Sequence, residues 1–333
     1  MNLVIIMNLS DIAKIANVSV STVSKALSDA KDVNIETKNK IIKIAEEYGV
    51  LNKYSGVKYK KKVIAVICPE IMSQYYSSIV ESIQKSIEKR GGTMLLGVDF
   101  FNNAKQKELI EYFTNYAKVD GLIVFGLLDV KSKFEVPIVS FGSASAKADS
   151  VQVIVDDALD CALKSLKQKG HKEIAFIGEQ LTKSKSDLFY KLMRKNGLIV
   201  NYGNIIESEL RFEDAGFAGM RTLINNKTNA TAVICAYDYI ALGAIKYLQL
   251  NGYSVPEDFS VIGFDGITID EYISKSLSTV CSHNDEAVEE LIDLLYKKIS
   301  NKWHISKNRI TIFSEYVERD SVGFARKSDI YVR

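Results

Sequence analysis

The 333-residue chain is poor in the patterns that most catalytic and exported proteins need. No apolar run approaches the roughly 18 residues that a membrane helix requires. The longest near the start, Leu3–Met7, is too short even for the apolar core of a signal peptide, so the expectation is a cytosolic protein with no membrane partner. The three histidines, His171, His283 and His304, are far apart, and none stands in a metal or nucleophile motif. Four cysteines (Cys68, Cys161, Cys235 and Cys281) occur singly, three of them inside apolar runs, without the paired spacing of zinc sites or disulfide frameworks. Buried, reduced thiols are the expectation. The first strand-like run ends Ile67-Cys68-Pro69-Glu70, with no glycine-rich dinucleotide turn behind it, and neither a Gly-x-Ser-x-Gly elbow nor a phosphate loop occurs elsewhere. The reading is a non-enzyme with no cofactor and no metal.

Hydrophobic residues make up 47% and charged residues 25%, which is ordinary for globular protein and allows about two or three domains. The net charge of +2 conceals an asymmetry. Residues 1–62 hold 11 lysines, no arginine and 6 acids, against 32 basic and 35 acidic residues in the remainder. A basic head on a mildly acidic body points to an anionic partner for the head, although a lysine-rich solvated surface has the same count.

Residues 9–49 read as three short helices. Ile12, Ile15 and Ala16 fall at helical spacing, with Ser10 or Asp11 as the cap, and Asn17 tolerates the left-handed turn that stops the helix. Ser19 caps a second helix carrying Val20, Val23 and Leu27. A third begins at Asn34 or Thr37 and runs through Ile41, Ile44, Ala45 and Tyr48 to Gly49. Two helices about three residues apart, with small Ala13 at their closest approach and Val23 sealing the angle, make a helix-turn-helix. The exposed face of the second helix offers Ser21, Thr22, Ser24 and Lys25, short donors and acceptors plus one cation, which suits base edges and phosphates. Leu51–Lys62, ending Lys-Tyr-Lys-Lys-Lys, is a basic linker that either touches phosphates or serves as a solvated tether.

From Val63 the pattern becomes α/β. Strand-like runs at Val63–Cys68, Met94–Val98, Leu122–Phe125, Ile138–Phe141, Val151–Val155, Ile174–Ile177, Ala232–Ala236, Val261–Phe264 and Ile310–Phe313 alternate with helical stretches. Continuous apolar strands between amphipathic helices indicate mainly parallel sheets covered on both faces, and so many strands favour two sheets with a ligand cleft between two lobes.

The segment Leu9-Ser-Asp-Ile-Ala-Lys-Ile-Ala-Asn-Val-Ser-Val-Ser-Thr-Val-Ser-Lys-Ala-Leu27 resembles the head of the lactose/galactose repressor (LacI/GalR) family. Val119–Val124, Val136–Val139, Gly170–Gly178, Val255–Asp265 and Leu277–Val280 match in order, so the resemblance spans nearly the whole chain. It implies a homodimeric repressor with a type I periplasmic-binding-protein body, in which a cleft ligand alters affinity for double-stranded operator DNA. The implied division is 1–49 for the head, with residues 1–6 as a tail of no assigned function, 50–62 for the hinge, and 63–333 for the body. Within the body, the N-lobe takes about 63–155 and 284–304, and the C-lobe about 156–283 and 305–333.

By position, the resemblance implies that Val20, Ser21 and Lys25 contact bases and that Ser19, Thr22 and Asn34 hold phosphates. Lys25 stands where arginine is commoner, which implies looser guanine discrimination. The family's hinge residues are missing; Tyr59 is the candidate minor-groove wedge, and Gly56 weakens any helix there by about 1 kcal/mol. For the effector, the resemblance implies Ser186 (where the family has arginine), Arg211 or the adjacent Phe212, Tyr237, Asp238 and Asp265. Tyr75 and Tyr76 either stack on a sugar face or pack the lobe. Asp265 suits a polyol, and Arg211 an acidic or phosphorylated one. Two competing classes are disfavoured: an exported sugar receptor, because the chain has a helix-turn-helix head and no export signal, and an α/β enzyme with a fused head, because nucleophile, metal and phosphate motifs are absent.

Overall fold

Asn8 starts the first helix, Leu9–Ala16 (α1). Its Oδ1 accepts from the amides of Ser10 and Asp11 at 2.9 and 3.2 Å, while Asp11 Oδ2 accepts from the Asn8 amide at 3.0 Å. This reciprocal capping box places the cap before both residues that sequence reasoning offered, because Asp11 is the returning partner and not the cap. Asn17 then takes the left-handed conformation, φ 57°, that ends the helix. Ser19 caps Val20–Leu27 (α2) and Asn34 caps Ile35–Glu47 (α3). Ile12, Ala13, Val23, Leu27, Ile41 and Ala45 close the small core between the three helices.

The computed structural model describes residues 7–28, 30, 32–48, 50, 61–126, 136–142, 149–268, 275–300 and 308–326. The chain divides into two units, Met1–Lys62 and Val63–Arg333.

The second unit alternates strand and helix: β1 Val63–Cys68, α4 Gln74–Lys89, β2 Thr93–Val98, α5 Asn103–Glu111, β3 Gly121–Phe125, β4 Ile138–Gly142 and β5 Asp149–Ile154. There follow α6 Asp156–Gln168, β6 Ile174–Glu179, α7 Lys183–Lys195, β7 Ile205–Ser208, α8 Phe212–Asn225, β8 Ala232–Cys235, α9 Asp238–Leu250, β9 Ser260–Asp265 and β10 Ser278–Cys281. The last elements are α10 Asn284–Ser300, β11 Arg309–Phe313 and β12 Glu315–Val317. One sheet has the order β11-β5-β4-β3-β1-β2, with every neighbour parallel. The other has the order β12-β10-β9-β8-β6-β7, parallel except for the β10–β12 edge pair. Each sheet is covered on both faces, which is why its central strands read as unbroken apolar runs.

The division into lobes differs from the expectation at one place. The resemblance implies that residues 309–313 belong to the C-lobe, yet β11 pairs in parallel with β5, Arg309 opposite Ser150 through Phe313 opposite Ile154. The N-lobe sheet therefore ends with β11, and the chain returns to the C-lobe only at β12. The passages between lobes lie close together: Ser314 Oγ is 3.3 Å from Ser282 Oγ. The thiols also depart from expectation. Cys68 and Cys235 are buried in strands, but Cys161 is exposed on α6 and Cys281 is half-buried.

Two glycines set the distance between α8 and α9. A Cβ on Gly216 would lie 1.8 Å from the carbonyl oxygen of Ile240, and one on Gly243 would lie 1.9 Å from that of Glu213. The helix backbones touch where neither residue has a side chain.

Candidate functional site

In the head, the second helix presents Ser19, Val20, Ser21, Ser24 and Lys25 on an exposed face, with Thr22 half-buried beside them. Ser19 Oγ accepts the Thr22 amide at 3.1 Å and lies 2.8 Å from both Ser21 Oγ and Thr22 Oγ1, so the start of α2 is a compact hydroxyl cluster. Val20 is 45% exposed, an apolar side chain with no packing reason to be there. Lys25 forms an ion pair with Asp32, and that pairing holds the Asp32 carboxyl below the usual range. Asn34 is exposed, with its Oδ1 accepting the Glu36 amide at 2.8 Å. Tyr59 lies outside the described residues.

The body holds a cavity of about 460 Å³ between the two lobes, walled by Tyr75, Tyr76, Phe101, Arg211, Tyr237 and Asp265 among others. Parallel sheets open their loops at the carboxyl ends of the strands, and the polar groups come from there. Glu70 follows β1, Glu179 ends β6, Arg211 follows β7, Tyr237 follows β8 and Asp265 ends β9.

Arg211 is the hub. Its Nη1 donates to Glu70 Oε2 at 2.7 Å and its Nη2 to Glu70 Oε1 at 3.3 Å, a two-point contact with the N-lobe. Its Nε lies 3.3 Å from both oxygens of Glu179 in the C-lobe. Tyr237 donates to Glu179 Oε2 at 2.8 Å and accepts the Phe212 amide at 3.0 Å, fixing the backbone beside Arg211. The guanidinium lies over the Phe212 ring at 4.5 Å and the Phe101 ring at 5.6 Å. Phe101 and Phe212 both take positive φ, 58° and 53°, which aromatic residues adopt only where surrounding contacts hold them. Glu70 above all raises the guanidinium pKa, so the group is a permanent cation with both carboxylates already on it.

On the facing side, Lys185 of α7 donates to the Ala236 carbonyl at 2.7 Å, lies over the Phe264 ring at 4.6 Å and stands 3.6 Å from Asp265. Burial pushes the Asp265 carboxyl up against the pull of Lys185. Tyr75 and Tyr76 meet edge to face at 5.1 Å, and Tyr76 also packs near Phe125 of the N-lobe core, so these rings both line the cavity and anchor the lobe.

The cavity wall thus gathers Tyr75, Tyr76, Arg211, Tyr237 and Asp265 and leaves out two residues expected there. Ser186 faces away along α7, buried, with its hydroxyl donating to Glu207 Oε1 at 3.0 Å; Lys185 and Thr182 of the same stretch reach the cleft instead. Asp238 is a buried support: its Oδ2 accepts the amides of Gly266 and Ile267 at 2.7 and 3.0 Å, and its Oδ1 the Thr279 hydroxyl at 2.7 Å. It shapes the turn that carries Asp265 without lining the cleft. Glu70, Glu179, Lys185 and Phe101 escaped sequence reasoning. For Glu70, Glu179 and Phe101 the one sequence signal was position, at or just past the carboxyl end of a strand, as in Cys68-Pro69-Glu70; Lys185, on α7, had none.

No group of three or more metal-binding side chains occurs among the described residues, and no described helix is long and apolar enough to cross a membrane.

The model of the bacterial regulatory proteins of the lacI family matches residues 8–52, and that of the periplasmic binding protein-like domain matches 163–322. An HTH-type transcriptional repressor PurR from Klebsiella pneumoniae is 29% identical over 94% of this chain and 96% of its own length. Among solved structures, the lac repressor dimer bound to operator and the anti-inducer ONPF superposes with a TM-score of 0.70 at 19% identity, covering 95% of this chain and 99% of that one. The transcriptional regulator CelR–cellobiose complex superposes with a TM-score of 0.67 at 20% identity, with the same coverage. With its helix-turn-helix head and its two-sheet periplasmic-binding-protein-like body, the chain is a member of the lacI family of bacterial regulatory proteins.

Proposed function

We propose that this regulator represses transcription as a homodimer, reads a palindromic operator with the exposed face of α2, and is switched by a small hydroxylated molecule, a sugar or sugar derivative, held between its lobes. The single observation that carries the reading is the cavity at the strand ends of two facing sheets, with hydrogen-bonding groups contributed by both lobes. A ligand there touches both lobes at once, so it favours one lobe arrangement over another. Only such differential binding moves an equilibrium. The cellobiose complex of a structural neighbour supports a carbohydrate, and the operator complex of another supports the DNA role. On DNA, Val20, Ser21 and Lys25 meet base edges, Ser19, Thr22 and Asn34 meet phosphates, and Tyr59 supplies the hinge contact. In the cleft, Tyr75, Tyr76, Arg211, Tyr237 and Asp265 meet the effector.

The test is selection of a binding site from random duplexes, followed by fluorescence anisotropy on the selected site with and without a small-molecule extract of host cells. A palindromic consensus whose affinity the extract changes at least tenfold is expected. Diffuse selection without consensus, or affinity indifferent to the extract, overturns the proposal.

A further inference from the structure

The charges in the cleft constrain the ligand, on the reading above that the cleft is the effector site. Among the described residues of its wall, Glu70, Glu179 and Asp265 are acidic and Arg211 and Lys185 basic. Lys185 and Asp265 balance one another. What remains is one guanidinium shared by two carboxylates whose side chains are only 8% and 4% exposed. One negative charge is left over in a poorly hydrated place, where it is costly.

The hydrogen-bond inventory points the same way. A carboxylate has about four acceptor positions, and Glu70 uses two of them on Arg211. Arg211 turns three of its five N–H groups toward the two carboxylates and Lys185 donates to the Ala236 carbonyl, while Glu70 keeps acceptor positions open. An independent observation lies next door. A side cavity of about 200 Å³ shares Tyr75, Asp265, Ile267 and Ser282 with the cleft. Asn284 lines that cavity, and its Oδ1 is buried without a hydrogen-bond partner. A buried acceptor without a donor is unfavourable, which favours a donor-bearing group in the cavity beside it. The rings of Tyr75, Tyr76 and Tyr239 complete a wall whose π faces attract cations.

We infer that the effector is a hydroxylated amine of the amino-sugar class, with its ammonium group received by Glu70 and Glu179 and its hydroxyls by Asp265 and the side cavity. An anionic or phosphorylated ligand meets the excess negative charge and finds each cation already facing a carboxylate.

Two measurements test this. Isothermal titration of the full-length protein with matched sets of probes (glucose, glucosamine and glucose 6-phosphate, and the galactose and mannose counterparts) should give at least one amino sugar binding tenfold or more tightly than its neutral parent and its phosphate. Glu70→Gln, checked for folding by circular dichroism, should remove that preference, with Glu179→Gln as the second variant if the first does not fold. In parallel, the operator-releasing activity of the host extract should be retained on cation-exchange resin. Retention on anion exchange, passage through both resins, or tighter binding of a neutral or phosphorylated probe overturns the charge class while leaving the cleft as the effector site. An extract that never alters operator affinity overturns the effector reading itself.

Discussion

Arg211 joins carboxylates from two different lobes, and its removal acts on both. In Arg211→Leu, Glu70 and Glu179 lose their common partner inside the cleft. Removing one member of a buried pair costs about 3–5 kcal/mol, but the guanidinium is 37% exposed, so a loss nearer ~2 kcal/mol is expected in urea unfolding at neutral pH. His171 gives a pH dependence of known sign. Its ring is buried, Nδ1 accepting from Thr231 at 2.7 Å and Nε2 donating to the Gly323 carbonyl at 3.0 Å, and burial lowers its pKa from 6.5. The unfolded chain therefore binds the proton first, so this contribution is complete above about pH 6.5 and declines as pH falls toward the depressed folded value. Unfolding curves between pH 7.5 and pH 5 should show that decline in the wild type and a shallower one in His171→Gln; parallel slopes would assign it to carboxylates instead. On the face proposed to meet DNA, Asp32 holds Lys25 in an ion pair that a phosphate or base contact would have to replace. Asp32→Asn should tighten binding to a selected operator several-fold, and Lys25→Ala should weaken it, both in anisotropy titrations at fixed salt.

At the scale of elements, the α8–α9 contact leaves no room for a methyl group. Gly216→Ala places its Cβ against the Ile240 carbonyl, and because both atoms belong to helix backbone the helices must part. Overpacking costs about 1–3 kcal/mol where side chains adjust, so a loss of at least 3 kcal/mol is expected in urea midpoints, whereas Gly252→Ala, at a loop position with φ 77°, should cost less. Which elements were legible in the sequence follows from burial. The central strands β1, β3, β6, β8 and β9 are covered on both faces and stood out as apolar runs. The edge strands β7 (Ile205-Ile-Glu-Ser208) and β12 (Glu315-Tyr-Val317) are short and partly exposed, and neither stood out. β11 was legible as a strand, yet its lobe was not, since pairing with β5 joins residues about 160 apart and leaves no local trace. The cleft followed the same rule. Aromatic and arginine positions could be aligned, whereas Glu70 and Glu179 acquire meaning only when Arg211 arrives between them. Ser186 and Asp238 sat in the right segments, but the turn of a helix directs one to Glu207 and the other beneath the Asp265 turn.

For the whole molecule, the proposed switch has to be strong. Moving the operator from nearly full to nearly empty requires about 5.5 kcal/mol of preference for one lobe arrangement. A dimer reading two half-sites also depends on both heads. Sedimentation velocity should find a dimer at micromolar concentration, and a duplex with one half-site should bind at least a hundredfold more weakly than the palindrome; equal affinities would mean that the heads act singly. The chain passes between lobes after β5, after β10 and between β11 and β12, so neither sheet is made of one continuous stretch. On the ribosome, which releases the chain from its N-terminus, the three head helices are complete within the first 50 residues. The N-lobe, although begun first, waits with an open sheet edge until β11 emerges at residue 309, after nearly all of the C-lobe has been made. The lobe that starts earliest thus finishes almost last, and a stalled or truncated chain exposes the free edge of β5 to other strands.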